Sequence, residues 1–493
     1  MDPGFVRRVE EFWAVLGREQ YHALAGLTAR PALAAVYERY GDLFRTDTLS
    51  ALADAERAAA GDARRRLRAL REFLITSAAE RAAADVIDRR LAWEAATHLE
   101  VGGERIPLRQ AARALANASD PNVRRAIEAA RLAALREVEP IDRDRFERDW
   151  DTFRLAGGGP REAWESLTGI DLGALAAAAR TLLDETEAIY RDLLTYELPR
   201  RLGVTLGEAI AADRLRLERA PWLDARFGAA DPVAVARRQL RELGWDVEAG
   251  GRIALDLEAR PAKASRAFCS VIRVPDEVVL VVSRSGGWRD WYAFFHELGH
   301  AQHFARVDAA LPFEDRALGD TSVTEGYARL FDRLPAHAAW LRRYLGFAGD
   351  ELAEFIRLAA LLDLLQLRRQ AGKLLYETEL HGAGRFDGMP ELYAERMAEA
   401  TLLPHDPAAY LDDVDPHFYC ARYLRAWALS ALLAERLRET FDEDWYRNPR
   451  SAPFLEDLFA RGQAEDGDAL AKRLGEERLT FDRVRVQLEE AIV

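Results

Sequence analysis

The chain has 493 residues, 49% of them apolar and 31% charged, with a formal net charge of −14. That length suits two or three ordinary domains or one large two-lobed unit, and the apolar share can build a core without disulfides or a structural metal. The acidic balance excludes a nucleic-acid-binding surface and docking to an anionic membrane, both of which need a basic excess; plain solubility accounts for it.

Two cysteines, Cys269 and Cys420, are too few and too far apart for a disulfide framework or a Cys-type zinc site. A reducing, cytoplasmic setting is therefore expected. The opening stretch MDPGFVRRVEEFW lacks the apolar core of a signal peptide, and no apolar run is long enough to span a bilayer.

Residues 1–200 read as an N-terminal helical region, rich in Ala, Leu, Arg and Glu with apolar residues at three- and four-residue spacing. Asp120-Pro121 is a helix start, because Asp caps and Pro suits the first helical position. From Gly169 the pattern predicts one long amphipathic helix. Residues 201–493 read as the catalytic region. A small sheet is expected over about 253–283, where the β-branched run Ala267–Val274 and the run Val278–Ser283 flank a Pro275-Asp276-Glu277 turn. Ser285-Gly286-Gly287 breaks the second strand. A helix follows over about 288–305, then a C-terminal helical lobe with loops at 382–390 and 403–416. The fold class is thus mainly α, with one small sheet.

The motif that carries chemistry is His296-Glu297-Leu298-Gly299-His300. Residues four apart on a helix share a face, so two imidazoles can hold one zinc ion while Glu297 reaches a water beside it. Phe294, Leu298 and Ala301 fall on the opposite, apolar face. Gly299 keeps the polar side low, which suits a metal or substrate passing close. A catalytic zinc needs a third protein ligand. Glu325 is the candidate, with Glu314 and His303 competing. Glu325 also ends a Ser322-x-x-Glu325 capping-box pattern, in which it would only bond a backbone N–H. His303 is a metal neighbour, a substrate contact or a packing residue.

Such a centre would hydrolyse peptide amides. The ion acidifies a bound water and polarises the carbonyl, Glu297 shuttles the proton, and a further donor faces the oxyanion. The stretch His417-Phe418-Tyr419-Cys420-Ala421-Arg422-Tyr423 can supply that donor from His417 or Tyr423. Tyr419, Tyr423 and Trp427, four apart, equally fit an aromatic stripe that packs a helix into a core.

Four pieces of the chain resemble the thimet oligopeptidase and oligoendopeptidase F group of zinc metallopeptidases. HELGHAQH (His296–His303) is similar to the group's HExGHxxH. Glu325 stands at the group's spacing after the second histidine. The segment from Arg260 to Ser270 followed by VVLVV resembles the stretch before the zinc helix. His417-Phe-Tyr-x-x-x-Tyr423 resembles the HFYxxFYxY stretch near the C-terminus.

The resemblance implies a two-lobed helical zincin-type fold with a deep channel, one zinc ion on its wall, and a sheet edge that pairs with an oligopeptide substrate. It implies His296, His300 and Glu325 as ligands, Glu297 as base, and His417 and Tyr423 as transition-state donors, with Tyr419 and His303 near the substrate. Arg425 and Trp427 stand where the group has further tyrosines. The wording around Glu325 leans towards dipeptidyl carboxypeptidases and thermostable carboxypeptidases, so a carboxypeptidase or peptidyl-dipeptidase of the same fold is the alternative cleavage mode. Cleavage mode, side-chain preference and oligomeric state are not written in these motifs.

Two other classes compete. A di-iron helical protein would use Glu297-x-x-His300 but needs a second such unit, and Glu94/His98 and Glu377/His381 have the wrong spacing. A non-catalytic peptide-binding relative would have no need of Glu297 with both histidines.

Overall fold

The structure, a computed structural model, describes residues 2–28, 32–260, 262–264, 266–284 and 286–492. Ser285 of the expected strand break, and Pro261 and Ser265 of the segment before it, lie outside the described residues. The fold is mainly helical with small sheets.

Contacts divide the chain into two compact units whose segments interleave. One comprises Met1–Leu74, Leu223–Ile356 and Arg425–Glu490; the other comprises Ile75–Trp222, Arg357–Leu424 and Ala491–Val493. The expected cut at residue 200 is not where the contacts divide. Helix α1 (Pro3–Leu24), capped by Asp2 through the Gly4 N–H, belongs with the sheet of residues 253–281. Amphipathic helices of one composition look alike in sequence, and only the surface they bury assigns them.

The second unit also holds an unforeseen hairpin, β1 (His98–Val101) and β2 (Glu104–Pro107), paired antiparallel from Val101↔Glu104 outward. Gly102 and Gly103 form its two-residue turn at φ 60° and 84°, a left-handed pair that side chains rarely adopt. Helix α2 (Pro121–Phe153) starts at Asp120-Pro121 as expected, with Asp120 accepting from Asn122 N–H. The helix expected from Gly169 spans Leu172–Leu202 behind an Asp171 cap. Leu135, Val138 and Trp150 of α2 build this unit's core with Tyr376, Leu380 and Tyr393.

In the first unit three strands, β3 (Ile253–Asp256), β4 (Phe268–Arg273) and β5 (Glu277–Val281), form a sheet in the order β3-β5-β4. β3 runs parallel to β5, and β4 runs antiparallel to it along one edge. Val279 and Val281 pack with Ile272 against Ala14 of α1. Alternation turns Val278 and Leu280 to the other face. All four are buried, so both faces are covered, which explains an unbroken apolar run in place of an alternating one.

Helix α3 (Trp288–Phe304) packs on β4 and β5 and crosses α4 (Thr321–Asp332) closely. Phe294, Leu298 and Ala301 are buried on its apolar face. Gly299 has a different role from the one expected. A Cβ there would lie 2.6 Å from Ala328 Cα and 3.1 Å from the Tyr327 carbonyl oxygen, so the missing side chain lets two helix backbones meet. Helix α4 is buried at every residue from Ser322 to Asp332. Helix α5 (Gly349–Ala383) follows, running two residues into the expected loop at 382–390. Among the described residues, no helix is long and apolar enough to cross a membrane.

Gly→Ala inside a helix ordinarily gains about 1 kcal/mol. Gly299→Ala is expected to do the opposite, costing about 1–3 kcal/mol through overpacking against Ala328. A thermal melt with an unchanged or raised midpoint would show that the helices do not touch there.

Candidate metal centre

The crossing of α3 and α4 brings three predicted ligands together. Glu325 Oε2 lies 3.3 Å from His296 Nε2 and 3.7 Å from His300 Nε2. One donor atom from each of the three residues falls within a 4.8 Å group. Ligands about 2.0–2.2 Å from a tetrahedral ion lie about 3.4 Å apart, so the spacing fits one small divalent cation. Two imidazoles and one carboxylate are the donor set of a catalytic zinc site with a position left open. The His296 and His300 side chains keep 20% and 12% of their surface exposed, against 6% for Glu325. The histidine side chains therefore keep some accessible surface, and the carboxylate keeps little.

The rings are held by partners that the sequence did not single out. His296 Nδ1–H donates to Asp332 Oδ2 at 2.9 Å, and Asp332 is 1% exposed. His300 Nδ1 lies 2.9 Å from Thr324 Oγ1, which is also 3.2 Å from His303 Nδ1. With His300 Nε2 bare for a ligand bond, its Nδ1–H donates to the hydroxyl, and the hydroxyl donates on to His303. The signal for Asp332 was its position seven residues after Glu325, two turns along the same helix face. Thr324 adjoins the ligand itself.

Burial alone would hold His296 neutral, but its bonds to Asp332 and Glu325 outweigh that and raise its pKa well above the ordinary value. Burial pushes the Glu325 carboxyl up, and His300 and His296 pull it well below the carboxylate range. An ionised carboxylate opposed by two imidazoles offers three donor atoms to a cation.

Glu297 sits beside the cage, its Oε2 accepting the Cys269 N–H of edge strand β4 at 2.8 Å. The backbone bond fixes the carboxylate without spending its second oxygen. The capping-box alternative for Glu325 does not form. Asp320 is the cap, accepting from Ser322 N–H at 3.0 Å, while Glu325 faces the histidines.

The other candidates divide between the two units. Glu314 is buried on the helix Phe313–Ala317, outside the cluster. His303 is not a substrate contact. It is fully buried among Phe304, Tyr327 and Phe459, and burial lowers its pKa to about 3. Its place is behind Thr324, as a support for His300. His417, Tyr419 and Tyr423 belong to the other unit. His417 is half-buried at φ 54° against Phe153, and burial lowers its pKa to about 4, leaving a neutral ring. The half-buried Tyr419 and Tyr423 rings stack edge-on at 4.8 Å, one turn apart, as an aromatic stripe would.

No di-iron partner exists among the described residues. The other metal-capable group, Glu377, Asp415 and Cys420, contains no histidine. The Lys373 ammonium already sits 2.5 Å from Asp415. Burial lifts the Glu377 carboxyl to about 8, so it stays protonated beside the Cys420 thiol.

No family model matches the sequence, and no curated protein sequence matches it. Solved structures do match. Metallocarboxypeptidase 1 of Trypanosoma cruzi is 16% identical with a TM-score of 0.59, over 99% of this chain and 99% of that one. PZ peptidase A, solved with an inhibitor, is 14% identical with a TM-score of 0.63, over 100% of this chain and 87% of that one. A protein assigned as an oligoendopeptidase F of Bacillus anthracis is 14% identical with a TM-score of 0.62, over 96% and 86%. The chain therefore has the fold shared by oligoendopeptidase F and the related metallocarboxypeptidase and PZ peptidase structures.

Proposed function

We propose that this chain is a zinc-dependent peptidase that hydrolyses short oligopeptides in the cytoplasm. One observation carries the reading: His296, His300 and Glu325 converge on a volume the size of one divalent cation, with Glu297 beside it. The matching fold of structures named as peptidases supports it. The free thiols Cys269 and Cys420 support a reducing compartment.

When bound, zinc would supply Lewis acidity to a peptide carbonyl and to water. The chain's own groups do the rest. Glu297, anchored by Cys269 N–H, takes a proton from the attacking water and returns it to the leaving amine. Asp332 and Thr324 hold the two imidazoles with their Nε2 atoms turned to the site. His417 and Tyr423 remain in the proposal as donors to the substrate, on the resemblance of their motif, with Tyr419 beside them. The neutral His417 ring can donate one N–H.

The structural neighbours carry both oligoendopeptidase and carboxypeptidase names, so internal cleavage is proposed first and carboxy-terminal cleavage second. Mass spectrometry of the fragments from a blocked and an unblocked peptide separates the two modes.

Three substitutions test the assignment. Glu297→Gln is expected to keep zinc, by elemental analysis, and to lower turnover of a quenched-fluorescent peptide by about 10²–10⁴-fold; near-normal turnover would remove Glu297 as base. Glu325→Ala is expected to purify without stoichiometric zinc, and full occupancy would mean that a different residue completes the site. Asp332→Asn is expected to weaken zinc binding about 10–100-fold in a chelator competition, because the amide can present its N–H in place of the acceptor that orients His296. An unchanged affinity would make that contact incidental. Peptide binding without chelator-sensitive turnover in the unmodified chain would favour a non-catalytic relative.

A further inference from the structure

The turn that carries His417 has an unusual backbone. His417 stands at φ 54° and Phe418 at φ 53°, two left-handed residues in succession, neither of them glycine. A left-handed non-glycine residue is strained, and it persists only where the surrounding structure fixes it from more than one side. Such outliers gather where a side chain must be held in one place for a function. Pro416 opens the turn, and the helix Tyr419–Phe441 follows it.

The ties that fix this turn come from α5, in the same unit. Glu377 is fully buried, and its carboxyl reaches both ends of the turn. Oε1 accepts the Asp415 N–H at 2.8 Å, before His417, and Oε2 accepts the Cys420 S–H at 3.1 Å, after it. One helical turn earlier, Lys373 Nζ lies 2.5 Å from Asp415 Oδ1, so Asp415 is held by backbone and side chain together. Phe418 is buried against Trp164 and His381, with ring centroids 5.2 Å and 4.6 Å away. Between these anchors His417 stays half-buried.

The neutral Glu377 carboxyl leaves Lys373 to answer Asp415. The clamp therefore works through hydrogen bonds and not through charge. An apolar side chain of similar size would fill the same volume and tie neither end. A neutral amide would keep the carbonyl that receives the Asp415 N–H.

We infer that Glu377 is a positioning residue for His417: by tying Asp415 and Cys420 to α5, it holds the strained turn in the one conformation that sets the place of the imidazole. The inference rests on the proposed role of His417 as a donor to the substrate, and it adds a residue that acts only through that ring.

Variants of the full-length protein test it. Glu377→Met keeps the volume and loses both acceptors, Glu377→Gln keeps one carbonyl, and Cys420→Ala cuts only the far tie. The imidazole NMR resonance of His417, identified by its absence in His417→Ala, reads position without activity. Glu377→Met is expected to move it, Glu377→Gln to leave it in place, and Cys420→Ala to move it by a smaller amount. Turnover of a quenched-fluorescent peptide reads the consequence. Glu377→Met should lose about 10–100-fold in kcat with zinc content retained, and Glu377→Gln should stay within about threefold of the unmodified protein. Added to His417→Ala, Glu377→Met should cost less than about twofold more, because both act through one ring. The inference is overturned by an unmoved resonance in Glu377→Met, or in Cys420→Ala where Glu377→Met does not fold. It is equally overturned by a full further loss in the double variant, or by Glu377→Gln as impaired as Glu377→Met. Near-normal turnover in His417→Ala would instead sink the substrate role of His417, and the resonance alone would then decide the clamp.

Discussion

The metal centre depends on one helix crossing. Two ligands come from one turn of α3 and the third from α4, and the distance between these helices at Gly299 and Ala328 decides whether all three reach one ion. A Cβ on residue 299 would need space that Ala328 already occupies. The small residues at this crossing set the ligand spacing as much as the ligands do.

Burial and charge then make the centre specific. Glu325 and Asp332 are carboxylates on a helix with no exposed face, a costly arrangement unless each has a partner. Glu325 is opposed by two imidazoles, and Asp332 by the Nδ1–H of one of them. The second imidazole leans on Thr324, whose hydroxyl is fixed in turn by His303. Each histidine thus has one nitrogen engaged by the protein and the other turned towards Glu325, so the tautomer it presents to an ion is fixed by the protein. His303 looked in sequence like a third member of the site, and its contribution is indirect.

The parts of this arrangement that were legible in the sequence are the local ones. The four-residue spacing of the histidines and the apolar positions behind them follow from helix periodicity, and the buried strand β5 from an unbroken β-branched run. The β1–β2 hairpin is also local, marked by Gly102-Gly103, but its four-residue strands sit inside a long helical composition that masks the turn. Non-local features were harder. Ser322-x-x-Glu325 matches a capping box as well as it matches a ligand, and the choice is made by Asp320, which takes the capping role, and by α3 on the other side. Gly299 was assigned to the metal side because a motif shows what a residue adjoins in sequence, whereas its function is set by the backbone it meets. The same holds for α1, whose composition does not say which segments it packs with.

A helix buried along its whole length has little freedom in its sequence, and that bears on how the site is kept. Every residue of α4 from Ser322 to Asp332 must either pack or satisfy a polar neighbour. Thr324, Glu325 and Asp332 serve the imidazoles, Gly326 leaves room for Leu429, and Ala328 permits the crossing. A change at one of them shifts the others, since no exposed face can absorb the displacement. The third ligand is therefore held by a rigid element packed on all sides, and a centre that must place three donor atoms to within a few tenths of an ångström requires that kind of support.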